Sequence, residues 1–146
     1  MCNGESTRVA QGGAIAVLSS SLRQVGCQCP TTLAGRLYFQ QGTGTSRTAI
    51  RFEGADGSHP GLLNGCQITI HDHGNLLKPV DYRDEGIKFA FQPTSSGPAM
   101  HSTAHMEYEK KLDLGVGGDG IIGRRISIFK DASSGVLLAE GVVGWN

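Results

Sequence analysis

The sequence has no apolar run close to the ~18–20 residues that cross a bilayer, and it has no excess of charge of either sign. Thirteen basic and thirteen acidic side chains balance each other, so no overall field favours nucleic acid or an anionic membrane. The opening residues, MCNGESTRVAQGG, lack the basic region followed by an apolar stretch that is typical of a secretory signal. We therefore expect a cytoplasmic protein that binds neither nucleic acid nor membrane.

Helical periodicity is missing as well, whereas glycine is abundant, with 22 in the 146 residues. The resulting turns separate short runs that are apolar or that alternate between apolar and polar residues. These runs are AIAVL at 14–18, AGRLYFQQ at 34–41, RTAIRFEG at 47–54, CQITIHDHG at 66–74, IIGRRISIF at 121–129 and GVLLAEGVVGW at 135–145. They predict an all-β fold, a Greek-key barrel or sandwich of about seven to eight antiparallel strands. Because this length suits one domain, we expect 1–146 to form a single unit.

The segment 75–111 interrupts this pattern, since its alternation is lost and Pro79, Pro93 and Pro98 punctuate it. We expect one long irregular loop there, within which GIKFAFQP could form a short strand. Residues 1–13 could form a flexible tail.

Cysteine is scarce and confined to the first half of the chain, at Cys2, Cys27, Cys29 and Cys66. Cys27 and Cys29 lie too close in sequence for an easy mutual disulfide. In a cytoplasmic chain we interpret all four as free thiols, with a metal or redox function as the alternative.

Five of the quoted segments, with their flanking residues, resemble four motifs of copper/zinc superoxide dismutases, in the family's order. AIAVL with GRLYFQQ resembles the first hairpin, AVxVL with GxIxFxQ, and GLLNGCQITIHDHGN resembles GLxxGxHGFHxHxxGD. GDGIIGRRISIF resembles GDHxIIGRxLVVH, and AEGVVGW resembles the closing ACGVIGI. The resemblance implies the family's Greek-key fold, and it is greatest to the inactive superoxide dismutase-like proteins of poxviruses.

The same resemblance implies that the metal sites have been lost. The family holds copper with four histidines and zinc with three histidines and an aspartate, donors that suit these ions. Aligned through the glycine of HDHGN, the chain has other residues at four ligand positions, which are Thr69, Ala90, Tyr108 and Phe129. The remaining candidate ligands are His71, His73 and His105. In an alternative register, His71 and His73 are themselves the paired ligands.

Other parts of the enzyme are missing by the same alignment. Glu140 stands at the cysteine of the family disulfide, and Leu137 stands at the arginine that guides superoxide to copper. The charged loop before the last strand is reduced to KDASSG, which removes a source of electrostatic focusing. We therefore expect no catalysis and no cofactor.

The segments that still match the family's motifs are those that form its dimer contact. The resemblance implies a homodimer interface formed by Ile121, Ile122, Gly123, Val142, Val143, Gly144 and Trp145. It also implies a pseudoenzyme that acts through protein binding or assembly, in the host cytoplasm and the virion, with the host copper chaperone for superoxide dismutase as a candidate partner. The alternative is a weak copper- or zinc-binding protein, or a residual superoxide dismutase, with a rearranged site.

Overall fold

The computed structural model describes residues 13–19, 33–41, 44, 46–55, 63, 65–77, 86–92, 94–95, 103–131 and 136–146. The strands in these ranges are β1 (Ala14–Leu18), β2 (Gly35–Gln41), β3 (Thr48–Gly54), β4 (Gln67–His71), β5 (Ile87–Phe91), β6 (Thr94–Ser95), β7 (Thr103–Tyr108), β8 (Asp113–Val116), β9 (Gly120–Ile122), β10 (Arg125–Phe129) and β11 (Leu137–Trp145). Within this part of the chain, no helix is long and apolar enough to span a bilayer.

One antiparallel sheet contains nine of these strands, in the order β5-β4-β10-β11-β1-β2-β3-β7-β6, while β8 and β9 form a small parallel pair. The last strand, β11, lies beside the first strand of the β1–β2–β3 meander, which is the strand order of a Greek key. The sheet curls so far that Phe91 on β5 stacks on Tyr108 of β7, with ring centroids 4.2 Å apart. The predicted all-β, antiparallel Greek-key class is confirmed.

The core lies on the inner face of this curled sheet, where alternate residues of each strand point. Ala14, Ala16 and Leu18 of β1 are buried there, and so are Ile68 and Ile70 of β4. Strand β1, which was predicted from an apolar run, therefore enters the core with the two-residue period of a strand, as β4 does.

The segment 75–111 differs from its prediction as a single irregular loop, because it contains β5, β6 and β7. The suggested short strand at GIKFAFQP is present as β5. Strand β7 was missed because the local alternation is short: the buried Met106 lies between the exposed His105 and Glu107. Its stability comes from pairing with β3, a neighbour far away in the sequence. Residues 1–12 of the predicted flexible tail and the thiols of Cys2, Cys27 and Cys29 lie outside the described residues.

Candidate functional site: a buried polar face on β4, β10 and β11

Strand β10 is buried on both of its faces. Ile126 and Ile128 belong to the inner core, whereas Arg125, Ser127 and Phe129 alternate with them and point to the outer face. All five residues are nonetheless at most 1 % exposed. The outer surface of the sheet is therefore covered at this strand, and polar side chains are enclosed there.

The neighbouring strands add further polar groups to this outer face. Ser127 lies between Thr69 on β4 and Glu140 on β11 in the pairing register. We define the buried polar face as Thr69, His71, Arg125, Ser127 and Glu140. These are all the buried polar or charged residues of the described chain except Thr48. Such a cluster costs free energy unless its members bond to one another.

Arg125 and Glu140 provide the charged part of this face. The Arg125 guanidinium donates to the Glu140 carboxylate in an ion pair, and a second guanidinium nitrogen, Nη1, donates to the Asn75 carbonyl oxygen at 3.0 Å. The backbone N–H of Arg125 donates to the His73 carbonyl oxygen at 2.7 Å. Arg125 therefore joins β10 to β11 and to the chain that follows β4.

His71 and His73 lie together, as their spacing predicted. Their rings stack with centroids 5.5 Å apart and an interplanar angle of 29°. His71 is fully buried, and its Nε2 lies 3.0 Å from the Ser127 hydroxyl oxygen. His73 follows the end of β4, and its Nδ1 accepts from the backbone N–H of Asn75 at 3.2 Å.

The contact at Nδ1 restricts what His73 can ligate. A neutral imidazole that binds a metal through Nε2 must carry its proton on Nδ1. Here Nδ1 faces a backbone N–H, so such a tautomer would set two donors against each other. His73 is therefore arranged as a hydrogen-bond acceptor within its turn, with the proton on Nε2.

His105 does not join this pair. It is an exposed residue of β7, where its register partner is Arg51 of β3. Strands β4 and β7 lie near opposite ends of the strand order. Among the described residues, no three His, Cys, Asp or Glu side chains lie close enough to hold a metal ion.

The four positions that the resemblance aligns with metal ligands have different surroundings. Thr69 is buried, and its hydroxyl makes no hydrogen bond in the described part of the chain, whereas Ala90, its neighbour on β5, is exposed. Tyr108 is occupied in the ring contact with β5. Phe129 is buried on the outer face, in register with Gln67 of β4 and Leu137 of β11. Copper or zinc does not fit this set, because hydroxyl, methyl and phenyl groups replace imidazoles.

The sequence analysis missed the pairing of Arg125 with Glu140. It had noted Glu140 only as the residue at a cysteine position. A signal was present, because Arg125 falls on the outer face of a strand whose alternate residues are isoleucines. An arginine in that pattern is normally predicted to be exposed to solvent. Only the burial of this outer face in the structure changes the interpretation.

The predicted dimer residues divide between core and surface. The side chains of Ile121 and Val143 pack into the core of the chain itself, so they are committed there. Val142 and Trp145 are 38 % and 44 % exposed. Ala16 pairs with Val143 and Ser19 bridges Glu140, so this register places the exposed Val17 opposite Val142. The exposed apolar residues here are therefore Val17, Val142 and Trp145.

Comparison with known proteins gives no family name. No family model matches the chain, and no curated protein matches it. Among solved structures, the chain is similar to a mutant form of Candida albicans superoxide dismutase 5, with 14 % sequence identity and a TM-score of 0.47 over 92 % of each chain. A likeness at this level does not assign a family or an activity.

Proposed function

We propose that this chain is a catalytically inactive superoxide dismutase-like protein that acts through protein contacts. The sequence motifs support the family, and the buried polar face supports the loss of chemistry. At the positions aligned with copper and zinc ligands, Thr69 and Phe129 are buried on the outer face of β4 and β10. Phe129 fills its position with an apolar ring, and this is the observation that carries the proposal.

The first test is metal content together with activity. The purified full-length protein is loaded with copper and zinc, desalted and analysed by elemental mass spectrometry, and superoxide dismutation is then measured. We expect close to zero metal per chain and no activity, because the donor set does not suit either ion. About one metal per chain, or measurable dismutation, would overturn the proposal.

The alternative function is weak metal binding by His71 and His73, whose ring centroids lie 5.5 Å apart. If metal is found, replacing both histidines with alanine should abolish uptake under this alternative. His105→Ala is the matched control, because this exposed histidine lies on β7, away from the pair. Uptake that survives the double replacement but is lost in the control would place the site elsewhere.

The proposed protein contacts are a homodimer and a contact with the host copper chaperone, in the host cytoplasm or in a virion. The exposed Val142 on β11 is the residue to change, because a buried carboxylate at an apolar contact is costly. We expect Val142→Asp to shift the sedimentation coefficient from dimer to monomer and to reduce chaperone pull-down. Val116→Asp changes an exposed valine on β8 and serves as the control. If the wild-type protein is monomeric and captures no chaperone, both proposed contacts are excluded.

A further inference from the structure

We infer that Arg125 and Glu140 form a polar latch that fixes the conformation of the turn at 72–77. The latch consists of these two side chains and the carbonyl oxygen of Asn75. It is a conformational device independent of the proposed function, since it concerns how the chain leaves β4. It also differs from the other ion pairs of the described residues in its burial.

The latch is buried, and its burial makes its hydrogen bonds hard for water to replace. The side chains of Arg125 and Glu140 are 1 % and 11 % exposed, whereas those of the surface pair Arg47 and Glu107 are 63 % and 49 % exposed. An enclosed guanidinium needs all of its strong acceptors, because solvent cannot replace one that is lost. Its bond to the Asn75 carbonyl is therefore a firm tie and not an exchangeable surface contact.

The apolar side chains of the turn do not hold it, although the Asp72 N–H donates to the Gly86 carbonyl oxygen at 2.8 Å, next to β5. Leu77 is 77 % exposed and Leu76 is also exposed, so neither side chain anchors the turn in the core. Inside the turn, the Asn75 side-chain oxygen accepts from the Leu77 N–H at 2.9 Å, and the Asn75 N–H donates to His73. These bonds are local, and they define the shape of the turn without attaching it to the sheet.

Three bonds provide the attachment to the segment around β10. Arg125 supplies two of them, from its backbone N–H to His73 and from its side chain to Asn75. Arg124 supplies the third, to the Asp72 carbonyl oxygen at 2.8 Å, through an exposed guanidinium. Because water competes more strongly for the exposed bond from Arg124, the partly buried bond from Arg125 is the one that we expect to set the position of Asn75 and the His73 ring.

The test separates turn geometry from overall stability by amide hydrogen exchange and nitrogen NMR of the histidine rings. In Arg125→Met we expect exchange at Asn75 and Leu77 to accelerate at least about tenfold, as for the loss of one charge-assisted bond. The nitrogen chemical shift of His73 Nδ1 should move away from the value of a nitrogen that accepts a hydrogen bond. In the double variant Arg125→Met with Glu140→Leu, the melting temperature should recover, because an apolar pair can replace a buried ion pair. Amide exchange at Asn75 and Leu77 should remain fast in this double variant, because the bond to the Asn75 carbonyl oxygen is still absent.

Two further variants keep the inference falsifiable if Arg125→Met does not fold. Arg125→Lys retains the charge for Glu140, but a single ammonium cannot reproduce the two-sided fork, so exchange at Leu77 should still accelerate. Arg47→Met removes the surface pair and should leave the turn unchanged. Wild-type exchange rates at Asn75 and Leu77 in Arg125→Lys, or recovery of those rates in the double variant, would overturn the latch.

Discussion

The enclosed ring of Phe129 leads to a counterintuitive prediction, because restoring the histidine that the resemblance expects there should harm the protein. Phe129 is 1 % exposed and lies in register with Gln67 and Leu137 on either side. In Phe129→His, a smaller and polar imidazole would occupy an enclosed site built around a phenyl ring. We expect a less stable protein that gains no copper.

The magnitude follows from two costs. Truncating a buried phenylalanine to alanine costs roughly 3–5 kcal/mol, and the imidazole recovers part of that volume. An enclosed ring nitrogen without a partner costs about 1–3 kcal/mol, which the amide of Gln67 could reduce. We therefore expect a loss of about 3 kcal/mol in the free energy of unfolding. In a domain of this size, that loss lowers the melting temperature by about 6–12 °C.

The assay is denaturant unfolding monitored by fluorescence and circular dichroism, with copper per chain measured on the same samples. Phe129→Leu is the control, because it keeps the position apolar and should cost less than about 1.5 kcal/mol. Copper should not bind to Phe129→His, since Thr69 and Ala90 still lack imidazoles. A variant as stable as the wild type, or one that takes up about one copper per chain, would refute the interpretation of Phe129 as packing.

The remaining predictions concern the thiol of Cys66, directly before β4, and the pairing of β1 with β11. Burial, and then the nearby Asp131, raise the pKa of Cys66 from 9.0 to about 11, so peptide mapping should find it unlabelled by iodoacetamide at pH 8 in the native state. Because the thiol stays protonated in the folded state longer than in the unfolded state, the folded protein should lose stability as pH rises from 9 towards 11. Labelling of native Cys66 as fast as that of the denatured chain would contradict this. Gly141→Ala should lower the melting temperature by several degrees, because the added Cβ would lie 2.3 Å from the Val17 carbonyl oxygen, whereas Gly144→Ala meets no atom closer than 3.9 Å and should be nearly neutral. Equal melting temperatures for the two variants would show that β1 and β11 can separate without cost.

Much of the fold could be predicted because its strands carry their own signal. The alternation of Ile68 and Ile70 with polar residues determines which face of β4 enters the core, and this alternation is visible in the sequence. Strand β7 escaped prediction because its apolar alternation around Met106 is weak and its partner β3 lies far away along the chain. Sequence patterns report local period, and they do not report which distant strand will supply the hydrogen bonds.

The candidate site was predictable only in part, and the histidines show why. His71 and His73 are two residues apart, so their proximity follows from the chain itself, and the structure stacks their rings. His105 was grouped with them by alignment, but among the described residues no three His, Cys, Asp or Glu side chains come together, so His105 does not complete a site with this pair. The pairing of Arg125 with Glu140 joins residues on adjacent strands, and it depends on a register that no local pattern specifies.

The sequence by itself determined that the chain is all-β, that most of its strands lie where the apolar residues alternate, and that Thr69, Ala90 and Phe129 have no imidazole at positions that the resemblance aligns with histidines. These properties depend on residue type and local spacing. The tertiary structure alone decided that the outer face of β10 is enclosed, that an arginine there binds a glutamate and a turn carbonyl, and that His73 is held as a hydrogen-bond acceptor. Burial and electrostatics are properties of neighbours brought together by long-range pairing, and for that reason they could not be read from the chain alone.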